Sequence, residues 1–109
     1  PAMGVIAAQG PSQVLASKLI GRSVTSNLGE EIGEIEDILL DASGRVAGVV
    51  LSMGGTLGIG ARHVALSWDQ LEPHPDKPNV LVVPVAAEQL RAAPEFTPLE
   101  PDGGRGPSR

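Results

Sequence analysis

Apolar residues fall into short runs separated by turn-forming residues along most of the chain. Residues 45–53 form the most apolar run, residues 79–84 are rich in valine, and residues 62–66 alternate between polar and apolar. Runs of this length that are rich in β-branched residues and bounded by Gly, Pro or Asn are typical of strands. We therefore predict strands in these three segments and a shorter one at 22–25.

The segment 31–41 carries two competing patterns. Ile32, Ile35 and Ile38 are spaced like one face of a helix, and the consecutive residues Ile38, Leu39 and Leu40 break a strict strand alternation. Three isoleucines favour a strand, however, and turn residues at 27–29 and 41–44 bound the segment at both ends. A strand with a bulge satisfies both patterns, because one extra residue changes which face the following side chains occupy.

The remaining chain suggests one small domain with irregular flanks. Residues 72–78 contain three prolines and read as a connector, whereas residues 85–93 contain helix formers and are stopped by Pro94. We expect a flexible N-terminal segment at 1–14, a domain at 15–93 and a Pro/Gly-rich tail at 94–109. Many short strands with one short helix predict a small barrel or sandwich, whose core supplies no more than about 5 kcal/mol on its own.

Composition excludes several classes of function. The chain has 8 basic and 13 acidic residues, a net charge of −5, and only Trp68 and Phe96 as aromatic residues. This is the opposite of the basic, aromatic surface that binds nucleic acid directly. There is no cysteine for a disulfide or a zinc site, and no apolar run approaches the roughly 18 residues that span a membrane.

The glycine-rich loop at 54–60 holds two aliphatic residues, Leu57 and Ile59, between its glycines. These side chains either fold back over the end of the core or contact another chain. The loop lacks the Gly-Lys-Ser/Thr sequence and the following helix of a phosphate-binding loop, so anion binding is the weakest of the three interpretations.

A succession of motifs resembles the PRC-barrel domain, as found in stand-alone bacterial members of that family. The motifs are Leu19-Ile20-Gly21-Arg22-Ser23-Val24, Gly29-Glu30, Ile32-Gly33-Glu34-Ile35-Glu36-Asp37, Gly44-Arg45-Val46, and the glycine loop followed by Val64-Ala65. The resemblance implies an all-β fold, a six-stranded antiparallel PRC-type barrel with a short C-terminal helix. It also implies docking onto larger assemblies, as in its relatives the photosynthetic reaction centre H subunit and the ribosome maturation factor, and no catalysis.

We accordingly predict a partner interface, within a homodimer, that includes Leu57, Ile59 and Trp68. Glu34 and Glu36, from the acidic series between Glu30 and Asp41, would give this interface electrostatic selectivity. The simplest alternative for Trp68 is a core plug at the end of the barrel, with its indole N–H near the surface.

Two other functions remain open at this stage. One is a small-ligand or metal sensor that uses the glycine loop with His63 and His74. The two histidines are eleven positions apart, which matches no common ligand spacing. The other is assistance in ribosome assembly through a basic ribosomal protein. We expect no cofactor and no catalytic residue, and a location in the bacterial cytoplasm or periplasm.

Overall fold

The computed structural model describes residues 3–54 and 60–99, and most of its regular structure is β-sheet. The six strands are β1 Ser23–Ser26, β2 Glu31–Leu40, β3 Val46–Met53, β4 Arg62–Ser67, β5 Glu72–Pro73 and β6 Val80–Val83. Helix α1 spans Ala16–Leu19, helix α2 spans Ala87–Arg91, and a 3₁₀ turn at Trp68–Gln70 follows β4. The predicted strands and the C-terminal helix are present, and β5 is an additional two-residue strand in the proline-rich connector.

Strand β2 contains the irregularities that its sequence pattern predicts. Its pairing with β3 passes from Ile35 directly to Asp37, and its pairing with β1 passes from Gly33 directly to Glu31. Each skipped residue lets side chains three positions apart point to the same face. Ile32 and Ile35 are buried and Ile38 packs partly against the same core, so the helix-like spacing of the isoleucines arises from a bulged strand.

All six strands belong to one sheet with the order β4-β3-β2-β1-β6-β5. Four of the five neighbouring pairs in this order are antiparallel, whereas β1 and β6 pair parallel, from Ser23 opposite Val80 to Ser26 opposite Val83. The prediction of a purely antiparallel sheet is therefore wrong for this pair. No hairpin joins β1 to β6, and the long stretch of chain between them allows either direction.

The predicted closed barrel is likewise not what the described residues form. Strands β4 and β5 end the strand order and share no ladder within residues 3–54 and 60–99. Strand β5 has two residues, and one of them, Pro73, has no N–H to donate to a ladder.

The core lies on one face of the sheet and is closed by the two helices. Strands β1, β2, β3, β4 and β6 contribute side chains, α1 contributes Leu19, and α2 contributes Ala87 and Leu90. Two glycines allow the strands to approach closely: a Cβ added at Gly33 would overlap the carbonyl oxygen of Ser52, and one at Gly48 would overlap that of Leu66.

Candidate partner-binding surface

The face of β2, β3 and β4 that points away from the core is mainly polar. Residues directly opposite in an antiparallel ladder share a face. One row of this face contains Glu34, Ser52 and His63, and the next contains Asp37, Val50 and Ala65. We call this surface the outer face; Val50 is its most buried member at 7% exposure.

The bulge in β2 places Glu36 next to a histidine on β4. Glu36 Oε1 lies 2.9 Å from Nε2 of His63, and the two side chains are 53% and 33% exposed. Because ion pairs this exposed contribute only about 0–1 kcal/mol to stability, the pair orients side chains more than it stabilises the fold. Within the described ranges, no group of three or more His, Cys, Asp and Glu residues could hold a metal ion.

Residues 94–99, which we call the strap, run across the free edge of β4. The backbone N–H of Phe96 donates to the carbonyl oxygen of His63 at 2.8 Å. Arg62 donates to the carbonyl oxygen of Ala93 and lies 3.8 Å from the carboxylate of Glu95. These contacts place the half-buried Phe96 above the outer face.

A cleft of about 190 Å³ opens between the strap and the outer face. Its lining combines acidic, imidazole and apolar groups: Glu36, Asp37, Val50, His63, Phe96 and Pro98. A second space of about 360 Å³ continues from it past Leu39 to Leu99. We call these two connected spaces the strap groove.

Large apolar side chains are exposed at one end of the sheet. Leu39 and Leu40 are the last two residues of β2 and are 39% and 60% exposed. Trp68, directly after β4, is 37% exposed. The ladder places Leu39 opposite Gly48 and Gly48 opposite Ser67, which directly precedes Trp68. We call these three side chains the apolar end. The interpretation of Trp68 as a buried plug is wrong, because the 3₁₀ turn holds the ring at the surface.

The structure separates the predicted interface residues into different regions. Glu34 and Glu36 lie on the outer face, whereas Trp68 lies at the apolar end. Leu57 and Ile59 fall outside the described residues, so their role in a partner interface stays a prediction. Their described neighbours, Gly54 and Gly60, lie near the start of β4, and the six residues of β4 separate that end from Trp68.

The two histidines proposed for a ligand or metal sensor are also apart in the strand order. His63 is on β4 and His74 follows β5, at the opposite edge of the sheet. The Nδ1 atom of His74 accepts the backbone N–H groups of Asp76 and Lys77 at 3.0 and 3.1 Å, so this ring organises its own loop.

Comparison with known proteins identifies a family match over most of the chain. A model of the PRC-barrel domain matches residues 11–90, which confirms the resemblance seen in the motifs. A segment of 51 residues is 41% identical to UDP-N-acetylmuramoylalanine--D-glutamate ligase from Prochlorococcus marinus (strain MIT 9313). That segment is 47% of this chain but 11% of the ligase. No helix among the described residues has the length and apolar character needed to cross a membrane.

Proposed function

The chain belongs to the PRC-barrel domain family, and from this premise we propose that it is a non-catalytic interaction module that pairs with a second copy of itself. The observation that carries the proposal is the apolar end, where Leu39, Leu40 and Trp68 are each exposed at the same end of the sheet. Water contact with clustered large apolar side chains is unfavourable, and such clusters mark interaction sites. Tryptophan is also enriched at the centres of interfaces.

A second copy is the occupant that the size and charge of the chain favour. A core of this size is only marginally stable alone. Packing the apolar end against an identical one would bury apolar surface that the monomer leaves exposed, and would thereby stabilise the fold. A two-fold interface needs a patch that complements itself, and an uncharged apolar patch meets that requirement. The acidic residues Glu34 and Glu36 are placed on the outer face, where they would stay open to a basic partner in a larger assembly.

A non-catalytic role agrees with the chemistry of the outer face. Ser52 lies opposite His63 in the ladder, and Glu36 contacts His63, but no hydrogen bond joins Ser52 to His63 within the described part of the chain. A serine nucleophile needs that contact to lose its proton to the histidine. The similarity to the ligase covers too small a share of that enzyme to transfer its activity to this chain.

Light scattering on size-separated protein tests the proposal. We expect a dimer for the parent chain and a folded monomer for Leu40→Asp, because a buried carboxylate at the apolar end would need to lose its hydration. Leu28→Asp is the matched control, since Leu28 is 74% exposed in the turn between β1 and β2 and lies outside the apolar end. Circular dichroism checks that each variant is folded.

Ile59→Asp, measured in the same series, tests the predicted role of the glycine loop. A folded monomer for Ile59→Asp together with a dimer for Leu40→Asp would move the interface to the loop. A parent chain that is monomeric at all accessible concentrations would contradict self-association altogether.

A further inference from the structure

We propose that the strap groove binds an extended peptide with an acidic residue, an aromatic residue and, two positions further, a proline. In the free chain, Phe96 and Pro98 of the strap line this site themselves, and Glu95 contacts Arg62 beside it. This inference rests on the proposed interaction function, because it names the chemistry of a partner, but its site lies mainly on the outer face and shares only Leu39 with the apolar end.

The first argument is the backbone edge that β4 presents. Within residues 3–54 and 60–99, strand β4 forms a ladder with β3 alone, and on its other side the carbonyl oxygen of His63 accepts the N–H of Phe96. In an antiparallel ladder the outward-pointing backbone groups recur every second residue, so the N–H and C=O of Ala65 point to the same free edge. An extended peptide that follows the strap could therefore continue along β4 by strand addition.

The second argument is the apolar contact beneath Phe96. Val50 lies on the outer face, opposite the exposed Asp37 in the ladder. Its side chain is nevertheless only 7% exposed. Phe96 and Pro98 line the cleft together with Val50. The Phe96 ring shares both spaces with Val50, and their volumes of about 190 and 360 Å³ leave room for an apolar side chain of a partner.

The third argument is the arrangement of charge around the groove. Arg62 lies beside the start of the strap, outside the lining of the groove, where it contacts the Glu95 carboxylate and the Ala93 carbonyl oxygen. Glu36 and Asp37 lie further along the cleft. An acidic residue before the aromatic position would therefore meet a cation, whereas an acidic residue after it would meet two carboxylates. Charge fixes the direction in which the peptide binds.

The fourth argument is that the strap is held by few interactions. In the described part of the chain, one backbone hydrogen bond and the Arg62–Glu95 contact join it to the sheet, and all of its residues except Phe96 are exposed. Pro94 and Pro98 have no N–H to donate to the sheet. Proline favours an extended backbone by itself, so the strap can stay extended without hydrogen bonds to β4 at these positions. Segments with few buried contacts open at lower free energy than core strands, so a competing peptide needs only to displace this short segment.

The test uses the full-length chain with Phe96→Ala, which removes the ring of the strap but leaves the lining that the sheet contributes, Glu36, Asp37, Val50 and His63, unchanged. The probe is a fluorescently labelled synthetic peptide with the sequence of residues 93–99, and binding is measured by anisotropy. We expect saturable binding that is at least about tenfold tighter for Phe96→Ala than for the parent chain, whose strap competes for the groove. A control peptide with alanine in place of phenylalanine should not bind either chain, and one with lysine in place of glutamate should bind more weakly.

A folded Phe96→Ala chain that does not bind the peptide would overturn the proposal. If this variant does not fold, amide hydrogen exchange on the unchanged chain decides the question. The Phe96 amide should then exchange much faster than the hydrogen-bonded amides of β3, because the strap opens without global unfolding. Exchange at the same rate as β3 would show that the strap is a fixed part of the fold and would also overturn the proposal.

These results are independent of the test of self-association. Loss of peptide binding with an intact dimer would remove only the groove. A monomeric parent chain whose Phe96→Ala variant binds the peptide would remove only the dimer.

Discussion

Asp41 organises the turn between β2 and β3 through a single carboxylate oxygen. Its Oδ1 atom accepts the hydroxyl of Ser43 at 2.7 Å and the backbone N–H groups of Ser43 and Arg45 at 2.9 and 3.1 Å. Hydrogen bonds to the charged form favour it, so the pKa of Asp41 is lowered from 3.8, chiefly by the Ser43 hydroxyl and then by the Arg45 N–H. An aspartate at this position therefore couples the turn to pH.

We predict that the stabilisation from Asp41 disappears in acid. Because its pKa is lower in the folded chain than in the unfolded chain, the unfolded chain binds more protons between the two values. The stabilisation is thus fully present above pH 3.8 and is lost as the pH falls through the lowered value. Thermal unfolding of Asp41→Ala should show a lower Tm than the parent near about pH 7, and the difference should become smaller as the pH falls below 3.8.

Asp76→Ala provides a control for this comparison, because the Asp76 carboxylate makes no hydrogen bond in the described part of the chain. Its Tm should follow that of the parent at both pH values. An Asp41→Ala difference that stays constant from neutral to acidic pH would show that the turn does not depend on the charge. Titration of the Asp41 carboxyl carbon by NMR should give a midpoint below 3.8.

Helix α2 is attached to the sheet by a carboxylate from the turn between β1 and β2. Glu30 Oε1 accepts the N–H of Ala87 at 3.1 Å and also the hydroxyl of the buried Ser26 at 3.1 Å. The residue that precedes α2, Ala86, has no side-chain acceptor of its own. Glu30 therefore satisfies a backbone N–H at the start of a helix that supplies Ala87 and Leu90 to the core.

We predict that Glu30→Ala lowers the free energy of unfolding by about 1 kcal/mol, the usual cost of removing a helix cap. Glu30→Gln should lose less, because the amide oxygen can still accept from Ala87. Urea denaturation measures both variants, and Glu31→Ala is the matched control with a neighbouring exposed carboxylate. Equal stability of the parent and Glu30→Ala would mean that packing of Leu90 alone holds the helix.

Sequence patterns predicted the elements whose causes are local. The bulged β2 could be predicted because the three isoleucines and the flanking turns lie within one segment. The parallel pairing of β1 with β6 could not, since no local residue fixes the direction of strands that a long crossover connects. The contact of Glu30 with Ala87, 57 positions away, has no local signal either.

The candidate surface divides in the same way. Consecutive Ile38, Leu39 and Leu40 were a local signal that some apolar side chains in β2 must face away from the core. Phe96 was grouped with the tail, because a single aromatic residue between prolines has no periodicity that would place it on β4. Burial of Trp68 was the wrong expectation, since the turn that carries the ring ends β4 at the rim of the sheet.

At the scale of the whole molecule, net charge and the apolar end act in opposite directions. Each copy carries a charge of −5, so two copies repel each other while their apolar ends attract. Salt screens the repulsion and leaves apolar contact largely unchanged. The response of association to salt therefore distinguishes a second copy of the chain from a basic partner, whose attraction would weaken when screened.

We predict that dimerisation strengthens as salt is added. Two charges of −5 about 30 Å apart repel by about 1 kcal/mol at about 20 mM salt, where the Debye length is about 20 Å, and by almost nothing at about 300 mM. The dimer dissociation constant should thus fall about fivefold between these conditions, as measured by analytical ultracentrifugation. Leu40→Asp should stay monomeric at both, because screening does not restore its apolar contact. A dissociation constant that rises with salt would mean that opposite charges hold the copies together. The interface would then join the acidic outer face of one copy to basic side chains of the other, and the two apolar ends would not pair.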